Sequence, residues 1–404
     1  MTAQTQSHNH WLSLTSAATA AVVVGFASTI LVVIEGVKHV GATASQQAST
    51  AASLCFAMAA CSAILAIRYK QPIMVAWSTP GSVLMATGAT GIAFPEAVGA
   101  FMFAGALMIF TALINPLATA ISKLPPSLAA AMVAGVLLRY VLGVPTAALD
   151  LPVFVVPLII AFFALRMLVP MFAVPVIVGL GLVFAAISGS FLGPVHLGVT
   201  PLEFVMPQWN LQVIVGLGVP LYLVTMASQN LPGFAVLKAH GYQPPIAASL
   251  GVTGLGSLLT APFGTHAVNM AAITAALVAG PDAHPDPKQR WKMIYPYTVL
   301  YVIFGLAAGT FVSLLGAMPK PLITAIAGLA LFSPLMAGVS AMVKEQRNIE
   351  AAMVTFLVTA SGITLMGVGA AFWGLLAGLL VWAAKQMLST SPVNPNRSEV
   401  KGNR

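Results

Sequence analysis

The chain has 404 residues, of which 17 are Lys or Arg and 9 are Asp or Glu, so charged side chains make up 6%, against roughly 25% in a soluble protein. With 59% hydrophobic residues and a mean hydropathy of +0.95, too little polar surface is left for water-soluble domains, and the chain reads as an all-α polytopic membrane protein. The formal charge of +8 does not point to nucleic acid, because the basic residues stand singly between apolar runs, as topology markers do.

The polar start, Met1 to His10, carries no Lys or Arg, so no cleavable signal peptide is expected. A spanning helix needs about 20 apolar residues. Runs between charges, Pro/Gly clusters and polar breaks place segments at 14–37, 45–67, 72–89, 96–121, 127–146, 151–168 and 171–192. A second set follows at 210–232, 242–261, 264–280, 291–315, 320–343, 349–366 and 368–388. The expectation is therefore 14 transmembrane segments in two sets of seven. Ten-residue alternation of apolar and polar residues is missing, which argues against an outer-membrane barrel. Cys55 and Cys61 lie six apart in one apolar segment and face different sides of a helix, so neither a disulfide nor a metal site is indicated.

With both termini inside, most basic residues fall in inner connections and tails: Arg68, Lys70, Lys123, Arg166, Lys238, Lys288, Arg290, Lys292, Lys344, Arg347, Lys385, Arg397, Lys401 and Arg404. Only Lys38, Arg139 and Lys320 fall outside or at outer helix ends. That bias fits cytoplasmic termini. Arg139 and Arg166 sit at segment ends, where long cations snorkel.

Segments three and ten share an oddity. The third reads Pro72 to Gly81 as Pro-Ile-Met-Val-Ala-Trp-Ser-Thr-Pro-Gly before turning helical, and the tenth reads Ala261 to Asn269 as Ala-Pro-Phe-Gly-Thr-His-Ala-Val-Asn. Thr79 and Thr265 are good N-caps, and Pro80 suits a first helical position. About 14 helical residues then remain in each, roughly 21 Å of helix, too short for a hydrocarbon core of about 30 Å. Each is expected to be a half-helix that begins near mid-membrane after extended chain. Their caps stand 186 residues apart (79 to 265), and an odd number of spans per half inverts the second copy. Paired interrupted segments of this kind mark a transporter's central site, although Pro and Gly also kink ordinary helices.

Two facing helix starts offer free N–H groups and partial positive charge, an anion site without a charged residue. Ser78, Thr79, Gly81, Gly264 and Thr265 lie at these ends, where the hydroxyls either donate to substrate or simply cap. Ser228, Gln229 and Asn230, ahead of Pro232-Gly233, are costly in lipid unless they face protein or water. They read as substrate donors on a helix opened by Pro232-Gly233, or as an interface loop. Asn269 adds a further amide. Phe26, Trp77, Phe234 and Phe263 offer rings for stacking or packing. Few ionisable residues lie at depth. His266 titrates near physiological pH and is the natural proton-coupling candidate, or else a neutral hydrogen-bonding residue. Glu35 is the other, unless Lys38 holds it in a salt bridge. H-E-x-x-H, G-x-S-x-G, Walker A and aspartate-rich metal motifs are missing, so neither an enzyme, nor an ATP-driven pump, nor any cofactor or metal is expected.

Four stretches resemble the benzoate:proton symporter (BenE) family. They are Gln71 to Gly81, Ser228 to Phe234, Phe263 to Asn269, and Ala283-His284-Pro285-Asp286-Pro287 with Arg290-Trp291. The resemblance covers all but the tails. It implies proton-driven uptake of benzoate or a similar aromatic monocarboxylate across the bacterial inner membrane. It also implies kinship with the uracil-transporter fold, built of 7+7 inverted repeats. That pattern assigns core domain to 14–122 and 206–318 and gate domain to 123–205 and 319–388, between cytoplasmic tails 1–13 and 389–404. Substrate would sit between segments three and ten, beside one and eight; the core would move like an elevator, and the gate is often the homodimer surface. Nucleobase relatives carry carboxylates on segments eight and ten, where this chain has Ser228, Gln229 and Asn230, and His266 and Asn269. Neutral donors suit an anion, which a carboxylate would repel. A passive organic-anion channel stays open as an alternative, as does another small anion or a nucleobase-like substrate on the same fold.

Overall fold

The computed structural model describes residues 3–87, 91–114, 125–191, 197–281, 283–365 and 368–389. Among them, nine helices are long and apolar enough to cross a membrane, and a further pair, Arg290–Leu306 and Ala308–Gly316, is bent by 55° at one break. Helix α1 (Ala3–His39) begins inside the stretch expected to be a polar tail. After the turn at Gly41, Thr43 opens α2 (Ala44–Tyr69) with a reciprocal capping box to Gln46, which satisfies two of the helix's orphan N–H groups.

The chain then extends through β1 (Val75–Trp77) into the short helix α3 (Thr79–Thr87) and on to α4 (Phe94–Leu113). Residues 115–121, expected to finish segment four, lie outside the described residues, as do Lys123 and the tail carrying Arg397, Lys401 and Arg404. Helices α5 (Pro126–Asp150), α6 (Pro152–Leu168) and α7 (Ala173–Ile187) follow. An irregular connection, pinned by Thr200, Val205 and Gln208 backbone hydrogen bonds to Leu306, Pro262 and Pro95, leads to segment eight.

Segment eight corrects one expectation. Pro232-Gly233 does not open it: α8 runs unbroken over Leu211–Ala239. Two π-turns, Ile214–Gly218 and Met226–Asn230, interrupt its α register, and Pro220 and Pro232 each lie two residues beyond one. A wider turn ahead of a proline absorbs the missing N–H and the ring's clash with the preceding carbonyl, so the helix continues.

Segment ten corrects a second. After α9 (Ile246–Thr260) and a 3₁₀ turn, the chain stays extended through β2 (Val268–Met270), and α10 (Ala272–Ala279) starts seven residues beyond Thr265. Strand pairing is the cause: β1 and β2 run antiparallel, Val75 opposite Met270, Ala76 opposite Asn269 and Trp77 opposite Val268. The half-helices therefore start at opposite ends of one short ladder, Thr79 at one and Ala272 at the other. The rest comprises α11 (Ile294–Leu306), α12 (Ala308–Gly316), α13 (Lys320–Lys344), α14 (Ile349–Ser361), the two-residue strands β3 (Thr364–Leu365) and β4 (Val368–Gly369), and α15 (Ala370–Ser389).

Candidate functional site

Beside the β1–β2 ladder lies a cavity of about 120 Å³. Helix α1 contributes Gly25, Ser28 and Thr29; the first half-helix region contributes Trp77, Thr79 and Pro80; α8 contributes Gln229. The second half-helix adds Ala271 and Thr274, and Tyr301 comes from α11. Val133 and Leu137 of α5 and Pro334 of α13 close the other side. Among the described residues, no Asp, Glu, Lys, Arg or His lines this cavity.

The wall is apolar with a few hydroxyls and one amide. Trp77 is held in place by donating its Nε1–H to Thr29 Oγ1 at 2.9 Å and by an edge contact with Phe26, centroids 5.8 Å apart. A Cβ on Gly25 would lie 3.1 Å from the Tyr301 hydroxyl and 3.8 Å from the Thr274 hydroxyl. Glycine there thus leaves both hydroxyls room at the wall.

The two helix starts differ. Ser78 caps α3, its hydroxyl accepting from Gly81 N–H at 3.2 Å and pairing with Thr225 at 2.8 Å. Pro80 has no N–H to offer. The α10 start, by contrast, has no side-chain cap, and Ala271 and Thr274 at that start line the cavity. A helix start without a cap is a site for an anion.

Of the nine binding residues expected from sequence, the structure brings Thr79 and Gln229 to the cavity wall. The others form the frame behind it. Ser78, Asn230, Thr265, His266 and Asn269 are wholly buried. Asn230 Oδ1 accepts from Met270 N–H at 2.9 Å and so ties α8 to β2. With its amide turned to suit its neighbours, Asn269 Oδ1 accepts from Ser78 N–H and its amide donates to Met270 O, both at 3.0 Å. Thr265 donates to Ser53 Oγ at 2.9 Å rather than capping a helix. Gly81 is required by packing, since a Cβ there would lie 2.9 Å from Ser78 Oγ.

Gly264 turns the chain into β2 with φ +99°, and a Cβ there would lie 2.9 Å from Thr50 Cβ. Gly264→Ala is therefore expected to destabilise the protein by about 2–4 kcal/mol, read as a lower melting temperature of purified protein in detergent; an unchanged melt would show that the turn relaxes freely.

His266 lies with Nε2 3.0 Å from both Ser78 O and Ser82 Oγ. A carbonyl can only accept, so Nε2 carries the proton in that contact. Nδ1 is buried without a hydrogen-bond partner among the described residues. Glu35 is elsewhere: it is paired with Lys38 at 3.2 Å and lines a separate cavity. Ser228 donates to Val224 O within its own helix.

Sequence reading missed Ser28, Thr274 and Tyr301. The signal for the first was Gly25-x-x-Ser28-Thr29, a small polar face at helical spacing in an otherwise apolar run. Thr274 and Tyr301 carry no comparable mark.

A family profile described as benzoate membrane transport protein matches residues 9–384. Inner membrane protein YdcO of Escherichia coli is 36% identical over 372 residues, 91% of this chain and 95% of the relative. The benzoate membrane transport protein of Acinetobacter baylyi is 30% identical over 373 residues, covering 92% and 94%. Among solved structures, SLC26A9 matches with TM-score 0.63 at 12% identity, over 92% of this chain and 66% of that one. The transmembrane domain of the cyanobacterial bicarbonate transporter BicA matches with TM-score 0.59 at 13% identity, over 92% and 97%. These likenesses show a mostly helical, polytopic membrane-transporter fold.

Proposed function

The chain belongs to the benzoate membrane transport protein family, and from that premise we propose that it carries benzoate or a similar aromatic monocarboxylate across the bacterial inner membrane together with protons. It is a membrane transporter, not an enzyme. The observation that carries the substrate reading is the cavity itself: about 120 Å³, of the order of the roughly 150 Å³ that holds benzene in an engineered apolar core. Trp77 offers a ring face, the α10 start offers N–H groups, and Thr79, Thr274 and Gln229 offer side-chain donors. Gln229 makes no hydrogen bond among the described residues. A carboxylate would meet donors and no competing negative charge, while the apolar wall takes the ring.

Proton-driven accumulation of labelled benzoate in proteoliposomes is the test. Uptake stimulated by an inward-acid gradient, with counterflow against unlabelled benzoate, is expected; gradient-independent flux without counterflow would make the protein an anion channel instead. Gln229→Leu should raise KM by roughly tenfold or more, since a hydrogen bond to a charged group contributes about 1.5–3 kcal/mol; an unchanged KM would remove Gln229 from the site.

In this reading the chain is a 14-segment inverted repeat that works as an elevator. Thr79 and Ala272 stand 193 residues apart, and Pro126 and Lys320, which open α5 and α13, stand 194 apart. Residues 14–122 and 206–318 form the core and 123–205 with 319–388 the gate, which carries the homodimer surface; both termini face the cytoplasm. The cavity then takes Trp77, Gln229 and Thr274 from the core but Val133, Leu137 and Pro334 from the gate. Sliding the core against the gate would carry the half-site with it. His266 is the coupling residue in this reading, with Glu35 as the second candidate.

A further inference from the structure

Three cations, Lys38, Arg139 and Lys320, stood apart from the inner-facing majority in the charge pattern. The fold brings all three to the wall of one cavity of about 500 Å³ between α1, α5 and α13. It shares no lining residue with the central cavity. Glu35 is the only acid on this wall among the described residues, and it engages Lys38 at 3.2 Å. Arg139 and Lys320 have neither an ion-pair nor a hydrogen-bond partner among the described residues.

Arg139 is seated rather than loose. It lies against the backbone at Gly362, the C-cap of α14, where φ is +67° and an added Cβ would come within 2.6 Å of the guanidinium carbon. Lys320 is the first residue of α13, so the positive end of that helix adds to the same field. Three positive charges thus face one negative charge in a cleft with low-dielectric walls, which concentrates anions. Tyr140 and Thr324 add hydroxyls, and Ile323 and Ala327 add an apolar strip.

We propose that this cavity is a capture site for carboxylate anions, where Arg139 and Lys320 hold the substrate before it reaches the central cavity. A planar guanidinium suits a carboxylate, which it can bind through two parallel hydrogen bonds. The substrate class, and the placing of this mouth on the outer side, rest on the function proposed above.

The test needs no transport. Thr324 lines the cavity and is exposed, while the native Cys55 and Cys61 are buried, so Thr324→Cys is a clean reporter. In zwitterionic proteoliposomes at low salt, an anionic sulfonatoethyl methanethiosulfonate should modify it on the order of tenfold faster than the cationic trimethylammonioethyl reagent. Adding Arg139→Gln and Lys320→Gln should bring the two rates together, and benzoate, but not neutral benzamide, should slow the anionic reagent. Equal rates at the start, a preference untouched by the two substitutions, or no protection by benzoate would each overturn the capture site. So would a preference that anionic phosphatidylglycerol abolishes while benzoate no longer competes, which would make the cavity a lipid-headgroup site. Protection without any uptake would overturn the transport reading alone; uptake without protection would overturn the capture site alone.

Discussion

Thr274→Asp is expected to abolish high-affinity benzoate binding while leaving the protein folded. Thr274 is the third residue of α10, lines the central cavity and is 7% exposed. An aspartate in a helix's first turn is favourable, by about 0.3–1 kcal/mol, and α10 has no side-chain cap to displace. The new carboxylate would take the place of the substrate's own. Two like charges about 4 Å apart at an effective dielectric constant near 20 repel by roughly 4 kcal/mol, so affinity should fall on the order of a thousandfold. Thr274→Asn keeps a polar side chain without the charge and should bind within a few-fold of the parent. Calorimetric titration with benzoate, alongside melting of both variants, reads the outcome. Retention of parent affinity by Thr274→Asp, in a protein that melts normally, would place the anion elsewhere.

How far the site could be read from sequence follows from what each residue's neighbours are. The long helices were legible because their apolar runs alone fix them. The first half-helix was legible to within a residue, since Ser78-Thr79-Pro80 is a local start signal: Ser78 caps and Thr79 opens the helix. The second was placed six residues early, its cap at Thr265 instead of Ala271, because its start is set by the pairing of Val75 with Met270, partners 195 residues apart, and Ala271-Ala272 carries no cap signal. The polar residues Asn230, His266 and Asn269, which stood out in apolar surroundings, hold backbone groups in the frame behind the cavity. Extended chain inside a membrane leaves backbone N–H and C=O groups that must be satisfied internally, and these side chains supply that: Asn230 to Met270 N–H, Asn269 to Ser78 N–H, His266 to Ser78 O. Scarcity of charge, the first property of the chain, persists to the centre, where no charged side chain lines the cavity among the described residues. The exceptions to the charge pattern gather instead at the second cavity.

His266→Asn is expected to separate exchange from accumulation. The asparagine can still donate to Ser78 O, so the frame around α3 should hold, and counterflow of labelled against unlabelled benzoate should continue. What it cannot do is titrate. With one proton moved per anion, an imposed difference of one pH unit supports roughly tenfold accumulation; the variant should fall to equilibration, a ratio near one. The geometry supports the coupling because His266 Nε2 holds the carbonyl of Ser78, the residue that caps α3, and Thr79 beside it lies on the cavity wall. A second ring proton would sit at Nδ1, which has no hydrogen-bond partner among the described residues, so the surroundings would have to supply an acceptor. Proton binding and the shape of the anion site are then linked through one capping residue, and linkage acts in both directions. Full accumulation by His266→Asn would move the proton to Glu35, and Glu35→Gln, measured in the same liposomes, would then be the variant that equilibrates.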